Sequence, residues 1–324
     1  MEFVVSQKNP AAFSTLQAAI DSIPADFAGA VTIRIQPGVY REKVILNKSN
    51  VTLLAEDGAH LVFGDFALNP LPDGTTRNTF LTPTLLITGD NVTLRGLTVE
   101  NDAGDGRKVG QAVAVYAAGD CCRFFDCRFL AAQDTLFCGP VLHKLHRFVK
   151  PYEIPLGVEG VADRPPVDAR LYFENCFIRG DVDFIFGPYR CWFENCTLYA
   201  NARGGYYTAA NTPEGQPFGF VFHRCQLTGE CEPEGMYLGR PWREHAATAF
   251  IDCEMEACVH PEGFTDWLIT GQPNRPVTER YCEFGSRGAG ADPSRRHPGM
   301  KLLTREDAAV YTLPNVLPGW DPLG

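Results

Sequence analysis

Two aspartates, Asp134 and Asp183, are the residues of this sequence best suited to nucleophilic or acid–base chemistry. Asp134 lies seven residues past Cys127, and Asp183 lies seven residues past Cys176. Because these cysteines belong to a repeat, we expect the two carboxyl groups to face one another across a step of about 4.8 Å between parallel strands. Two acids that close move each other's pKa apart, which places an ionised nucleophile or base beside a protonated acid.

Neighbouring polar and aromatic residues favour a site at these aspartates. Gln133 precedes Asp134, and the segment 237–242 contains Arg240 and Trp242. An arginine can orient one carboxylate and keep it ionised, and an indole ring can stack on a sugar. The competing interpretation is that each aspartate ends a turn and that the arginine forms a surface salt bridge beside a packed tryptophan. Two aspartates in register favour the site.

The elements that position these residues form a repeat. Five copies of the pattern Phe-x-x-Cys lie along the chain, with successive cysteines 49, 20, 29 and 28 residues apart. The five pairs are Phe124 and Cys127, Phe173 and Cys176, Phe193 and Cys196, Phe222 and Cys225, and Phe250 and Cys253. Similar segments begin at Asn50 and Asn91. A period of about 20 to 30 residues rich in β-branched and aromatic side chains indicates a solenoid.

The spacing within each copy indicates how the solenoid is built. Residues three apart on a straight strand face opposite sides, so the chain must bend for Phe and Cys both to point inward. Asp or Asn precedes the cysteine in four of the five copies, and both tolerate the left-handed backbone of such a bend. The cysteines are then small buried hydrophobic residues that stack from coil to coil. The sequence predicts an all-β protein, a right-handed parallel β-helix.

Both ends of the coil are expected to be covered, because an open sheet edge invites aggregation. Residues 11–24 carry apolar side chains on one helical face and predict a short N-terminal capping helix. Thr304 and Asp307 form a helix-start capping box ahead of an irregular, Pro-rich C-terminal segment that should pack along the side. No low-complexity linker interrupts the chain, so residues 1–324 are interpreted as a single β-helix domain.

Composition excludes several classes of protein. The 31 Gly and 24 Pro among 324 residues break helices too often for a helical bundle. A net charge of −10 argues against a nucleic-acid partner, and no apolar run is long enough to predict a membrane span. The first residues do not resemble a secretory signal, which predicts a cytoplasmic location and free thiols for the 12 cysteines. A chain trimmed of its leader would instead be secreted.

The ordered motifs resemble those of the pectin methylesterases, or pectinesterases, which are right-handed parallel β-helices. They are Gly-Gln-Ala-Val-Ala from residue 110, Gln-Asp-Thr-Leu from 133, Asp-Phe-Ile-Phe-Gly from 183 and Leu-Gly-Arg-Pro-Trp from 238. The segments 38–43 and 281–290 extend the resemblance to nearly the whole chain. It implies a carbohydrate esterase, of the bacterial type, that hydrolyses methyl esters of galacturonate units in pectin or pectic oligosaccharides.

The resemblance also implies a role for each catalytic residue. Asp183 would attack the ester carbonyl and form an acyl-enzyme anhydride. Asp134 would protonate the departing methanol and then activate water. Gln133 and Gln111 would donate hydrogen bonds to the developing oxyanion, and Arg240 would position Asp183 and keep it ionised.

Four aromatic residues are expected to bind the substrate: Trp242, which would stack on the sugar, together with Tyr116, Phe184 and Tyr207. No metal or organic cofactor is expected. The predicted partner is methyl-esterified homogalacturonan or its oligosaccharides, with no nucleic acid and no membrane, and the protein is expected to be a monomer.

The chain between the two aspartates is longer than one coil requires. Asp134 and Asp183 are 49 residues apart, whereas one coil takes about 20 to 25, so about 27 residues, roughly 138–168, should loop out beside the cleft. This insertion carries a basic cluster: His143, Lys144, His146, Arg147 and Lys150. We interpret it as a lid or wall that contacts anionic galacturonate units and alters chain-length preference. A metal site at the two histidines is the weaker alternative, because no third ligand is apparent.

Other functions remain open from the residues alone. Paired carboxylates about 5 Å apart also suit a retaining glycosidase, but amide donors beside the acid favour a carbonyl oxyanion. A polysaccharide lyase would need calcium ligands, and no carboxylate cluster suggests them. An esterase or thioesterase acting on another substrate, and a catalytically silent carbohydrate-binding solenoid, are the remaining alternatives. The acidic net charge predicts a preference for neutral, highly methylated substrate over acidic polymer.

Overall fold

Three parallel sheets, A, B and C, form the walls of a coil in the computed structural model, which describes residues 1–72, 74–140 and 169–324. Strands are numbered along the chain, and each pairs in parallel with its counterpart one coil away. Sheet A contains, within those residues, β1 (Glu2–Val5), β2 (Val31–Ile35), β5 (Val51–Ala55), β8 (Thr93–Arg95), β11 (Cys122–Phe125), β14 (Arg170–Glu174), β17 (Arg190–Glu194), β20 (Phe220–His223), β23 (Thr248–Ile251), β25 (Tyr281–Phe284) and β26 (Lys301–Leu302).

Sheets B and C complete each turn of the coil. Sheet B contains β3 (Gly38–Arg41), β6 (Ala59–Phe63), β9 (Thr98–Asn101), β12 (Arg128–Leu130), β15 (Phe177–Gly180), β18 (Thr197–Ala200), β21 (Gln226–Gly229) and β24 (Glu254–Met255). Sheet C contains β4 (Val44–Leu46), β7 (Leu85–Ile87), β10 (Val115–Ala117), β13 (Leu136–Cys138), β16 (Ile185–Gly187), β19 (Gly205–Ala210) and β22 (Met236–Pro241). Successive strands pass from A to B to C, which is the parallel β-helix that the repeat predicts.

The interior is built from the Phe-x-x-Cys repeat. The five phenylalanines stack on one another with ring centroids 4.4–4.6 Å apart, and the five cysteines lie buried beside them. The residue before each cysteine has a positive φ of 50–56°, including Arg224, the one copy without Asp or Asn. The predicted one-residue bend and the inward stack of Phe and Cys are therefore confirmed. The 12 cysteines are all free thiols.

A short helix covers the N-terminal end of the coil. Helix α1 (Leu16–Asp21) begins after the cap Thr15 and buries Leu16, Ala19 and Ile20 against the core. It is shorter than the predicted span of 11–24, because Phe13 pairs as an isolated bridge with β1. A second short helix, α2 (Gly106–Val109), lies beside the turn from sheet B to sheet C.

The C-terminal segment packs on the outer face of sheet A, as predicted. The capping box at Thr304 starts α3 (Arg305–Ala308), and α4 (Leu313–Val316) follows. Val316 and Leu317 are fully buried in an apolar cluster with side chains of sheet A. Across the ranges given above, no helix is both long enough and apolar enough to cross a membrane. The predicted insertion, with its basic cluster, lies outside the described residues except at positions 138–140.

Candidate active site

Both aspartates lie at the corner where the chain turns from sheet B into sheet C. Asp134 stands between β12 and β13, and Asp183 stands between β15 and β16, each with a left-handed backbone (φ 65° and 50°). The Asp134 N–H donates to the carbonyl of Val182 at 3.0 Å, and Leu136 pairs with Ile185 in the strands that follow. The predicted register is confirmed, because the two aspartates occupy equivalent positions on adjacent coils.

Arg240 reaches Asp183 from β22, two strands further along sheet C. Its Nε donates to Oδ1 of Asp183 at 2.9 Å and its Nη2 donates to Oδ2 at 2.7 Å. Both side chains are 12% exposed. A two-pronged contact of this kind fixes the plane of the carboxylate as well as its charge.

The surroundings act differently on the pKa values of the two carboxyl groups. Burial raises the pKa of Asp134 well above its usual range, and the charge of Asp183 raises it further, against the opposing effects of Arg240 and of a hydrogen bond with Gln133. Burial also raises the pKa of Asp183, but the hydrogen bonds and charge of Arg240 oppose that rise, with help from Arg203. Because the guanidinium fork is directed at Asp183, the pair ionises first at Asp183 and the remaining proton resides on Asp134.

A cavity of about 280 Å³ opens over this pair. Its polar lining brings together the five predicted catalytic residues, Gln111, Gln133, Asp134, Asp183 and Arg240. Its apolar lining includes the rings Phe80, Phe186, Trp242 and Trp267. Carboxyls, amides and a guanidinium therefore share an enclosed space with a group of aromatic side chains.

Of the four predicted aromatic binding residues, Trp242 lines the cavity. Its ring meets the edge of Phe186 with centroids 5.9 Å apart, and the guanidinium of Arg243 lies over it at 4.7 Å. Its backbone N–H donates to the carbonyl of Ala210 at 3.0 Å, which holds the end of β22 against β19. The half-buried indole is thus fixed in place and still reaches the cavity.

Phe184 and Tyr207 were wrong as substrate-binding residues. Both are fully buried inside the coil and pack against each other with ring centroids 5.4 Å apart. Phe184, directly after the left-handed Asp183, enters the core together with Ile185. Regular alternation begins at β16, so Phe186, next to Ile185, faces out. The same alternation along β19 turns Tyr207 inward and leaves Tyr206 on the outer face.

Tyr116 was also wrong as a binding residue, for a different reason. It lies on the outer face of β10 but is covered by Phe80 and Phe137, with ring centroids at 6.1 and 4.7 Å. Its hydroxyl donates to the carbonyl of Pro140 at 2.7 Å. Only 1% of the residue is exposed, so its ring supports the cavity wall from beneath.

Several cavity residues have no counterpart among the predicted ones. Phe186 was detectable from alternation along β16. Phe80 lies in a 3₁₀ turn (Thr79–Leu81) within a long irregular connection, and Trp267 lies in a loop beyond β24. Neither loop has a periodicity that would place its side chains, so the sequence held no signal for these two.

The arrangement suits nucleophilic attack on an ester carbonyl. Asp183 is an ionised carboxylate of fixed orientation, and Asp134 beside it can hold and deliver a proton. Gln111 and Gln133 bring amide donors to the same cavity, where a negative oxygen would develop. Among the residues that the structure describes, no three His, Cys, Asp or Glu side chains converge as a metal site would require.

Comparison with known proteins agrees with this chemistry. The family model described as Pectinesterase matches residues 2–154 and 166–319. Pectinesterase 31 of Arabidopsis thaliana is 28% identical over 315 residues, which cover 95% of this chain and 89% of that protein.

Solved structures extend the likeness to three dimensions. Pectin methylesterase PemA from Erwinia chrysanthemi matches with a TM-score of 0.81 at 26% identity, covering 99% of this chain and 97% of its own. A pectin methylesterase solved in complex with a hexasaccharide matches with a TM-score of 0.81 at 27% identity, covering 99% and 98%. The resemblance seen in the sequence motifs is confirmed, and this chain belongs to the pectinesterase family.

Proposed function

We propose that this protein hydrolyses the methyl esters of galacturonate units in pectin or pectic oligosaccharides, releasing methanol and a free carboxylate. The observation that carries the proposal is the buried carboxyl pair, in which Arg240 grips Asp183 through two hydrogen bonds while Asp134 has the strongly raised pKa. Membership of the pectinesterase family, and a structural relative that is a pectin methylesterase in complex with a hexasaccharide, support the same substrate class.

The first half-reaction uses the two aspartates in opposite states. An oxygen of Asp183 attacks the ester carbonyl, and the oxyanion that forms accepts hydrogen bonds from Gln111 and Gln133. The carbon–oxygen bond to the methoxy group breaks, and Asp134 donates its proton so that methanol leaves. The galacturonyl group is then joined to Asp183 as an anhydride.

The second half-reaction restores the enzyme. Asp134, now ionised, takes a proton from water, and the hydroxide attacks the anhydride carbonyl. The bond to Asp183 breaks, and Arg240 again holds the free carboxylate. Because Asp134 acts first as acid and then as base, its raised pKa suits both steps.

The net charge bears on substrate preference within this class. At −10, the protein repels a de-esterified, acidic polymer at distances up to about 8 to 10 Å at physiological salt. We therefore expect faster methanol release from highly methylated stretches or short methylated oligomers. A rate that rises as methylation falls would contradict this preference.

The test is methanol release from methylated pectin and from short methylated oligogalacturonides, with wild type beside Asp183→Asn. Asparagine tolerates the left-handed backbone at this position, so the variant removes the nucleophile and keeps the fold. We expect release by wild type and a loss of at least about 10⁴-fold in the variant. Release from neither substrate would favour another ester, and unchanged release by the variant would remove Asp183 as nucleophile.

A further inference from the structure

The guanidinium of Arg240 contacts two aromatic rings. Its central carbon is 3.8 Å from the ring centroid of Tyr206 and 4.4 Å from that of Trp267. Both distances are within cation–π range, so two aromatic rings pack on the same guanidinium. Arg240 is thus held by the two hydrogen bonds to Asp183 and by contact with two rings.

Tyr206 lies beside the nucleophile along the sheet. Its N–H donates to the carbonyl of Asp181 at 2.9 Å, and its carbonyl accepts from the N–H of Phe184 at 3.4 Å. These two bonds flank Asp183. Tyr206 therefore holds the backbone on both sides of Asp183, and its ring contacts the guanidinium of Arg240. The ring of Tyr206 is itself backed by Tyr237 on the next coil, at 5.7 Å and 20° between planes.

Trp267 approaches from the loop beyond β24 and is anchored independently. Its Nε1 donates to Oε1 of Gln272 at 3.0 Å. Its backbone exchanges two hydrogen bonds with Arg275, of 2.8 and 3.2 Å. The residue is 5% exposed, so its indole is a fixed wall for the guanidinium.

Aromatic rings have a specific advantage as neighbours of this arginine. A ring face attracts a cation but offers no lone pair for the N–H groups. A carboxylate in the same place would compete with Asp183 for the guanidinium fork. The rings therefore hold Arg240 still and leave its N–H donors to the nucleophile.

We propose that Tyr206 and Trp267 are positioning residues for the esterase reaction: they immobilise Arg240, which in turn fixes the attack geometry of Asp183. The proposal rests on the proposed function for its kinetic consequences, but the geometry of the Arg240–Asp183 pair can be tested without it. Reactive carboxylates must be held to within a fraction of an ångström, and small displacements are costly.

The kinetic test compares Tyr206→Leu with Tyr206→Phe, using methanol release from methylated pectin. Leucine removes the ring, and phenylalanine keeps it while removing the phenol. We expect Tyr206→Leu to lower kcat about tenfold, with KM within about twofold of wild type, and Tyr206→Phe to retain kcat. A raised KM with unchanged kcat in Tyr206→Leu would show that the ring binds substrate instead, and would overturn the proposal.

A matched control comes from the outer face of sheet B. There Tyr199, half-buried like Tyr206, packs against Phe177 in a tilted arrangement at 5.5 Å, and Arg128 lies over Phe177 at 4.2 Å. Tyr199→Leu removes one ring from a similar column on a different wall of the coil from Asp183. We expect it to leave kcat unchanged. An equal loss in both leucine variants would reduce the role of Tyr206 to stability of the fold and would overturn the proposal.

The second arm does not depend on activity. The carboxyl ¹³C resonance of Asp183, assigned by its absence from Asp183→Asn, is titrated in each variant. Besides Arg240, the groups in the described part of the chain that interact electrostatically with Asp183 include Arg203, Asp134 and the phenol of Tyr281, and none of these is altered in the variants. Loosening of Arg240 should raise the pKa of Asp183 in Tyr206→Leu and leave it unchanged in Tyr206→Phe.

The two arms separate the possible failures. If wild type releases no methanol, the proposed function fails, and the titration alone then decides the role of Tyr206. An Asp183 pKa that stays the same in Tyr206→Leu would overturn the positioning role whatever the activity. Trp267→Phe and Trp267→Leu repeat the comparison with the other ring. If the leucine variant there does not fold, the half-buried position of Tyr206 still allows the test.

Discussion

The coils of the protein bend through left-handed residues at more than one corner, and two of these corners differ in what surrounds the side chain. At the corner from sheet A to sheet B, Asp126, Asn175 and Asn195 have φ of 50–56° and are exposed. At the corner from sheet B to sheet C, Asp134 and Asp183 have φ of 65° and 50°, and each is 8% exposed. The same residue types make the same bend, but one set faces solvent and the other lines a cavity.

The side chains at the exposed corner serve the coil itself. The amide of Asn175 donates to Asp126 on the neighbouring coil at 3.4 Å. At the third corner, from sheet C to sheet A, Asn91 donates to Asn50 in the same way at 2.8 Å. At the buried corner both carboxyls line the cavity, and Arg240 holds that of Asp183 through two hydrogen bonds. An aspartate at a left-handed bend is therefore structural by default, and burial beside a cation makes it a site.

The largest expected effect that distinguishes the corners is on activity. In Asp134→Asn the bend survives, because asparagine accepts the left-handed backbone, but the proton donor is lost. We expect kcat/KM for methanol release to fall by about 10²–10⁴-fold, whereas Asp126→Asn at the exposed corner should keep wild-type activity. In wild type, activity should fall as pH rises through the raised pKa of Asp134, and a full rate in Asp134→Asn would remove that residue as the acid.

Arg240→Lys tests the two hydrogen bonds that hold Asp183 at the buried corner. Lysine keeps the positive charge but replaces a planar fork with a single point contact. We expect kcat/KM to fall about 10²-fold. The acidic limb of the pH profile should move to higher pH, because the hydrogen bonds that oppose the raised pKa of Asp183 are weakened. An unchanged acidic limb would mean that Asp183 is not the group titrating there.

A third difference between the two corners is how each aspartate makes the stability of the fold depend on pH. Burial raises the pKa of Asp134 well above its usual range, so the folded protein binds more protons than the unfolded chain once pH exceeds the unfolded value of about 3.9. The free energy of unfolding contributed by this group then decreases as pH rises through the folded pKa. Asparagine carries no such cost, so Asp134→Asn should raise Tm at neutral pH although it lowers activity.

The control for that measurement is again at the exposed corner. Asp126→Asn makes the same chemical change at a similar backbone angle, where the side chain faces solvent. We expect its Tm at neutral pH to stay close to that of wild type. Thermal unfolding followed at several pH values would contradict the assignment if both variants gained equally or if Asp134→Asn lost stability.

The sequence predicted the parts of the molecule that repeat. The ladder of Phe and Cys residues indicated the coil, and counting from its cysteines placed Asp134 opposite Asp183. Arg240 and the two glutamines came from motifs, and the cavity brings them together. The monomeric state, the cytoplasmic location, the single-domain interpretation and the bacterial type stay predictions.

The predictions of substrate-binding residues failed where the orientation of a single side chain decided whether it reaches the cavity. Phe184 and Tyr207 were each one or two positions from the residue that faces out, because a left-handed bend resets the alternation of a strand. Phe80 and Trp267 come from loops without periodicity, and their positions depend on packing against the finished coil. Local patterns determine a strand and its register, but which loop covers which corner is a tertiary property.

The smallest expected effect isolates the backbone requirement shared by both corners. Asn195 is exposed with φ of 50°, and an alanine there loses the tolerance for a left-handed backbone. We expect Asn195→Ala to lower the free energy of unfolding by about 1–2 kcal/mol, measured in urea, with methanol release unchanged. Asn195→Gly should be nearly neutral at this bend, since glycine adopts positive φ without strain. If alanine and glycine had the same effect on stability, tolerance of a left-handed backbone would not be what Asp and Asn contribute at these bends. The two corners would then not share this backbone requirement.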